Sequence, residues 1–447
     1  MIIRVEHHGK FLHECTLPGE GRDRNIYPAH PNGHQLSQST FMFLYSTRSS
    51  RGDDDECSGI YQLRRGGFDG PVIKEGWLCR TTNEWNALGD GKPYVKQHGH
   101  PVVHGVPKGA LIRGRRVAHE NIFAVCWRRE ARYVDPQTGF MAYCHERPDL
   151  AGTRDIEWLQ FRLNEGETDI EILSPLRPLR QKGFEDSPQL RCEHPQVRWM
   201  TQTFVPAIPL NDDASEWVSV IHVNTPGENG SEEPGDHCDR IMPIRFVFNA
   251  VAKLYEWQSA GVPVGRGLFE ASITRYQDSF VIAARQTAGG KRIAWGRTDD
   301  PLGNQLKLQL PNDEPNWFPF TLTTGPDGEL RRAGGCIDLS PHQSGRDPIY
   351  ACDIDPDNEF RRKRVAVLFD SRIARLPMQN GALVDFPKLL THTGGSSQMF
   401  AHRARSMYLR DPKRPDRWLR QEEIDASGIY WGRVHFDQEY PAFWRFA

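Results

Sequence analysis

Apolar and polar positions alternate in short runs along this chain, and glycine, proline and aspartate interrupt them. The densest example spans 267–301, GLFEASITRYQDSFVIAARQTAGGKRIAWGRTDDP. Strands are predicted there over 269–276, 280–285 and 293–297, separated by Gln277-Asp278-Ser279 and Ala288-Gly289-Gly290. The middle run, Phe280-Val281-Ile282-Ala283-Ala284, is apolar on both faces and requires cover on both. Glu270 and Arg285 stand at the margins of this unit, an acid and a guanidinium beside segments that call for burial.

The unit recurs. An apolar strand, then a strand opening on an isoleucine or aromatic residue, then a Gly/Asp/Pro turn can be traced six times, with the second strand near 60, 140, 220, 293, 349 and 429. In the second unit this places strands over 122–127 and 140–144. Short strands at this density, spaced roughly 55 to 80 residues apart, predict an all-β fold. A six-bladed β-propeller in a single domain fits the count and the length, and a pair of β-sandwiches is the competing architecture. Residues 2–6 form a strand with no neighbour in sequence. In a propeller they complete the last blade beside 429–436 and 443–446, closing the ring and removing a free edge. Helix is an option only over 246–255, and 224–238 reads as a solvated polar loop.

Composition narrows the class. With 56 Lys+Arg against 58 Asp+Glu there is no large field of one sign, which argues against nucleic-acid or membrane partners. Nine dispersed cysteines without CxxC pairs fit a reducing compartment. No signal-peptide pattern opens the chain and no run of apolar residues is long enough to span a bilayer, so a cytoplasmic location is expected. Oligomeric state is not legible.

Around Glu270 the sequence resembles the sialidase-like propellers. Their pattern E-P-S-x-x-x-x-x-D-G-x-x-x-x-x-x-R is echoed by Glu270-Ala271-Ser272, Asp278-Ser279 and Arg285, one residue shorter. A looser echo of the family's R-I-P is Arg24-Asn25-Ile26-Tyr27-Pro28, and a third family arginine corresponds to Arg346. The resemblance implies exo-hydrolysis of a terminal acidic sugar. Arg24, Arg285 and Arg346 would clamp its carboxylate, and Asp53, Asp54 or Asp55 would protonate the leaving oxygen. Glu270 would activate a tyrosine nucleophile, Tyr350 or Tyr430. No cofactor is implied. The chain departs from the family in lacking a clear Tyr-Ser motif. It also lacks a strict S-x-D-x-G-x-x-W turn, whose nearest echo is Thr298-Asp299-Asp300-Pro301-Leu302-Gly303 with Gln305 in place of tryptophan.

Three further stretches carry candidate chemistry. QHGHPVVHG presents His98, His100 and His104, but Pro101 and glycine mark a loop rather than one face of a helix, so no metal is expected. A histidine there, with an arginine, is instead the base of a rival lyase reading on uronate-containing glycans, with His100 a substrate contact. A non-catalytic carbohydrate- or protein-binding propeller is the other rival. Residues 155–173 form two strands whose acids, Glu157 among them, are expected on a solvent side. Gly394-Gly395, with His392 and His402 beside it, forms a tight blade-entry turn or else permits a close backbone approach to a ligand at the propeller mouth, with His392 a candidate substrate contact. No P-loop, GxSxG, HExxH or dinucleotide fingerprint is present.

Overall fold

The six apolar-strand units become six antiparallel sheets arranged around a common axis. The computed structural model describes every residue outside 1, 12–15, 18–20, 23–25, 50–58, 81, 86–88, 119, 134–153, 188, 202–204, 226–238, 287–291, 312–316, 326, 337–345, 379–381, 391–396, 407–420, 438–443 and 446–447.

Blade 1 is Ile26–Gln35, Thr40–Ser49, Gly59–Arg65 and Val72–Cys79, in that order from the axis outward. Blade 2 is Pro93–His104, Phe123–Tyr133, Asp155–Leu163 and Ile170–Pro178, with Thr82–Trp85 added at its inner edge. In blade 3 the pieces Trp199–Thr201 and Ile208–Pro209 both pair with Glu216–Asn224, followed by Asp239–Asn249 and Leu254–Ala260. Blade 4 is Leu268–Tyr276, Ser279–Gln286 and Ile293–Thr298, with a bridge from Trp295 to Gln309 on its outer side. Blade 5 is Trp317–Thr324, Leu330–Cys336, Ile349–Asp355 and Arg361–Phe369. Blade 6 is Ala382–Leu389, Ser397–Ser406 and Gly428–Phe436, finished by the N-terminal strand Ile2–Lys10. The propeller and its closure by the first strand are as the sequence predicts. The sandwich alternative is overturned, because the sheets meet around a hub rather than face to face in pairs.

Burial explains the doubly apolar strands. A hydrophobic cluster fills each of the six blade interfaces, so both faces of every blade are covered. Trp127 and Trp295 are fully buried in two of these interfaces, between blades 1 and 2 and between blades 4 and 5. Each large apolar side chain buried this way is worth roughly 1.5–3 kcal/mol, well above what an exposed ion pair supplies.

Four expectations change. Residues 246–255 are not helical: the strand ends at Asn249, whose side chain accepts the Val251 and Ala252 N–H groups in a tight turn, and Leu254 starts the next strand. The helix among the described residues is the short Gln421–Ala426. Trp444–Arg445 does not join the last blade but pairs with Leu111–Ile112, because the N-terminal strand already occupies the outer edge. Glu157 does not face solvent: it is buried against His98 at 2.7 Å, beside Asp155, which is buried against Arg180 at 2.7 Å. Finally, Asp155–Leu163 is the third strand of blade 2, whereas 140–144 lies outside the described residues.

Candidate functional site at the propeller hub

Inner strands are interrupted at matching places. Register slips by one residue between Ala29 and Asn32 in blade 1, at the Gly99–Val102 segment in blade 2, and between Phe269 and Ser272 in blade 4. Blades 5 and 6 slip likewise, between Trp317 and Phe320 and between Asp385 and Lys388. The inserted pairs are His30-Pro31, His100-Pro101, Glu270-Ala271, Phe318-Pro319 and Phe386-Pro387. Proline fits here because it has no N–H to give a ladder. The first residue of three pairs has a left-handed backbone, with φ of 49° at His30, 56° at His100 and 51° at Glu270. For non-glycine residues that conformation costs roughly 1–3 kcal/mol and is concentrated at sites where a bulge re-aims a side chain.

A second set of equivalent positions lies on the next strand. The isoleucine that opens each third strand pairs with Tyr45, Arg128, His222, Arg285, Gly335 and Arg403 in blades 1 to 6. Four of these six are cationic or imidazole side chains. In blade 5 the position is glycine for a steric reason: a β-carbon on Gly335 would sit 2.9 Å from Arg346 Cα. The backbone of Arg346 occupies that space, so blade 5 brings its guanidinium from the neighbouring segment.

Glu270 is the acid inside this arc. Its Oε2 lies 2.9 Å from Arg285 Nε, with both side chains largely enclosed. The Arg285 guanidinium also lies 4.1 Å over the Phe269 ring. Burial raises the Glu270 carboxyl above the ordinary range, against the opposing pull of Arg285, Arg346, His222 and Arg128. Lys388 follows the blade 6 bulge. It is buried, and burial pushes its amine well below the usual lysine range while the Glu270 charge opposes that shift. On the side of blades 1 and 2, the His30 and His100 rings are 3.8 Å apart between centroids.

No protein-family model matches this sequence. No curated protein matches it either. Solved structures do. The chain is similar to Trypanosoma rangeli sialidase at a TM-score of 0.54 and 9% identity, over 95% of this chain and 58% of that one. It is similar to a Hadza microbial sialidase at 0.54 and 11%, over 92% of this chain and 66% of that one. A protein of unknown function from Dyadobacter fermentans aligns at 0.56 and 10%, over 98% of this chain and 99% of that one.

The fold is that of the sialidase-like propellers. At these identities the likeness concerns architecture, and this chain spans a little over half the length of the T. rangeli protein.

Within that fold the candidates from sequence separate clearly. Glu270 and Arg285 meet at 2.9 Å, and the charge of Arg346 acts on the Glu270 carboxyl. His100 is on the inner rim against His30. Tyr350 packs in the blade 4–5 core with Trp295 and Phe320, and Tyr430 in the blade 5–6 core, where its hydroxyl donates to Ala426 O at 2.6 Å. Burial holds the Tyr430 phenol up at about 12. Arg24, Asp53, Asp54, Asp55 and His392 lie outside the described residues. The QHGHPVVHG histidines do not converge: His98 meets Glu157, His100 meets His30, and His104 Nδ1 accepts the Ala207 N–H at 2.7 Å. Asp300 holds its turn by accepting the Leu302 and Asn304 N–H groups, both at 2.9 Å, which accounts for the aspartate of the turn echo. Sequence reading missed Arg128, His222, His30 and Lys388. The signal was present: each of the first two stands on the apolar strand that precedes an isoleucine-led strand, as Arg285 does.

Proposed function

We propose that the hub binds the carboxylate of an acidic sugar and that the chain hydrolyses the glycosidic bond of that sugar. The carrying observation is the Glu270–Arg285 contact at a left-handed bulge of an inner strand, with Arg346 in the same electrostatic neighbourhood. Guanidiniums suit a carboxylate because two parallel N–H groups match its two oxygens. An arriving carboxylate competes with Glu270 for Arg285, and Glu270, with its raised pKa, then serves in proton exchange at the reacting centre. The glycosidic C–O bond breaks, a proton goes to the leaving oxygen, and water supplies the hydroxyl of the new sugar end. The proton donor in this reading is Asp53 or Asp54, the acids that the sequence resemblance implies. The T. rangeli sialidase has been solved with sialic acid bound, which supports an acidic sugar as the first ligand to try.

A second reading has its own observation. His100 sits at a bulge beside His30, and its preceding residue Gly99 pairs with Arg128, which joins an imidazole base to a guanidinium as β-elimination beside a uronate carboxylate requires.

One screen decides. Purified protein is incubated with sialosides and with uronate polysaccharides, and both new reducing ends and near-ultraviolet absorbance are followed. Hydrolysis yields reducing ends without absorbance, and Glu270→Gln abolishes them. A conjugated product would select the lyase, and binding without turnover in either protein would make the propeller a binding module.

A further inference from the structure

Of the six equivalent second-strand positions, the one in blade 3 carries an imidazole, His222, which pairs with Thr201 on the inner side and Ile241 on the third strand. Its Nε2 lies 3.3 Å from Asp239 Oδ2, and both side chains are only 6% accessible, so solvent screens the interaction little. Asp239 stands two residues before Ile241, diagonal to His222 across the ladder. Its other oxygen, Oδ1, accepts the Asn224 Nδ2–H at 2.9 Å, which turns Oδ2 toward the imidazole. Trp199, edge to face at 4.9 Å between centroids, and Phe269, at 6.0 Å, border the ring. Phe269 directly precedes Glu270, and His222 is among the groups whose charge acts on the Glu270 carboxyl. A histidine and its carboxylate from blade 3 thus stand beside the acid contributed by blade 4.

The other histidine–carboxylate pair with this degree of burial is of a different kind. His98 meets Glu157 at 2.7 Å, but Lys96 and Arg129 also reach that carboxylate, at 3.2 and 3.7 Å, and make it a shared ion cluster. Among the described residues, His222 is the only basic side chain within ion-pair distance of Asp239. The negative charge of Asp239 is therefore committed to this one imidazole and raises its basicity. His222 Nε2 is buried without an aligned hydrogen bond, and a small rotation of the ring brings its N–H onto Oδ2.

We propose that His222 is the base that takes the proton from water in the hydrolysis, with Asp239 as its positioning residue. This rests on the acidic-sugar reading above and specifies which group activates water. Asp239 accepts the Nε2–H, which leaves Nδ1 as the basic nitrogen. The electron pair of the glycosidic C–O bond departs with the leaving oxygen, which takes its proton from Asp53 or Asp54. The water oxygen bonds the anomeric carbon and gives one proton to His222 Nδ1. The imidazolium then returns that proton to solvent, and solvent reprotonates the aspartate.

The test separates water activation from binding and from leaving-group departure. Methylumbelliferyl glycosides of N-acetylneuraminic acid and of glucuronic acid, whose leaving group departs without needing a proton, are given to wild type, His222→Ala, His222→Gln, Asp239→Asn and the exposed control Arg115→Gln. Wild type and the control should hydrolyse at least one of them. Both His222 variants should lose about 100-fold or more of kcat with KM nearly unchanged. Added imidazole should restore part of the His222→Ala rate and leave wild type as it was. Asp239→Asn donates to Nε2 and holds the ring proton on Nδ1, so kcat should fall again, and imidazole should not restore it. Should His222→Ala lose its melting transition, His222→Gln carries the kcat comparison. A histidine variant that folds and turns over within about threefold of wild type overturns the assignment of His222 while the acidic-sugar reading stands. A loss of kcat matched by a rise in KM, with no rescue by imidazole, makes the role structural and overturns it too. If wild type hydrolyses neither glycoside, the reading itself fails and the inference with it.

Discussion

Gly335 and Arg346 approach so closely that a β-carbon on the glycine would lie 2.9 Å from the Cα of the arginine. The contact is to backbone, which cannot swing aside as a flexible side chain would. Gly335→Ala should cost about 1–3 kcal/mol through overpacking. It should also displace Arg346 and weaken acidic-sugar binding. Thermal denaturation and calorimetric titration of the one variant check both, and unchanged melting would show that the segment yields freely.

Acid sensitivity should come from buried histidines. Burial holds His34 down to about 4 and His104 and His402 down to about 3, from an ordinary 6.5. Because the folded pKa is depressed, the unfolded chain takes up the proton first as pH falls below 6.5. Stability is therefore full above that value and declines by about 1.4 kcal/mol per pH unit per histidine until each folded pKa is reached. His402 gives the cleanest variant. Neither ring nitrogen has a hydrogen-bond partner, and Phe369 lies 4.2 Å away between ring centroids. His402→Phe should leave stability at pH 7 nearly unchanged and flatten its slope between pH 6.5 and 4, measured by urea unfolding at several pH values.

Arg331 is enclosed between Asp327 Oδ2 at 2.8 Å and Asp353 Oδ1 at 2.7 Å, with all three side chains almost fully buried. Arg331→Met fills similar space but leaves two carboxylates without the guanidinium between them. A loss of about 3–5 kcal/mol is expected, since breaking a buried pair from one side strands its partner. Replacing all three residues with apolar ones of matching volume should recover most of that loss.

Ring closure rests on Ile2–Lys10, which pairs with Gly428–Phe436 from Ile2–Phe436 to Lys10–Tyr430. His8 also stacks on Trp431, with centroids 4.3 Å apart. Removing residues 1–10 should bare the edge of Gly428–Phe436, lower the melting temperature and promote aggregation that rises with protein concentration. Light scattering and calorimetry on the truncated chain would show it. A truncated chain that does not aggregate and keeps its melting temperature would mean that closure comes from elsewhere.

Pairing inside a blade is local. Strands 280–285 and 293–297, the turn at Gln277-Asp278-Ser279 and the placing of Glu270 and Arg285 at the margins of one unit were legible in the sequence, because alternation and turn residues set the register between neighbouring strands. The repeat count and the unpartnered first strand were equally enough to give a closed six-bladed ring. Which residues face one another across the axis was not legible. That depends on where each inner strand takes its bulge, since one extra residue sends a side chain to the hub instead of into a blade interface. Arg128, His222 and Lys388 are distant from Glu270 in sequence and gather around it only when the ring closes. The burial of Asp155 and Glu157 escaped for the same reason, since alternation tells which face a side chain takes but not what covers that face. Tyr350, whose strand was identified correctly, turned out to point into a core for want of that same information.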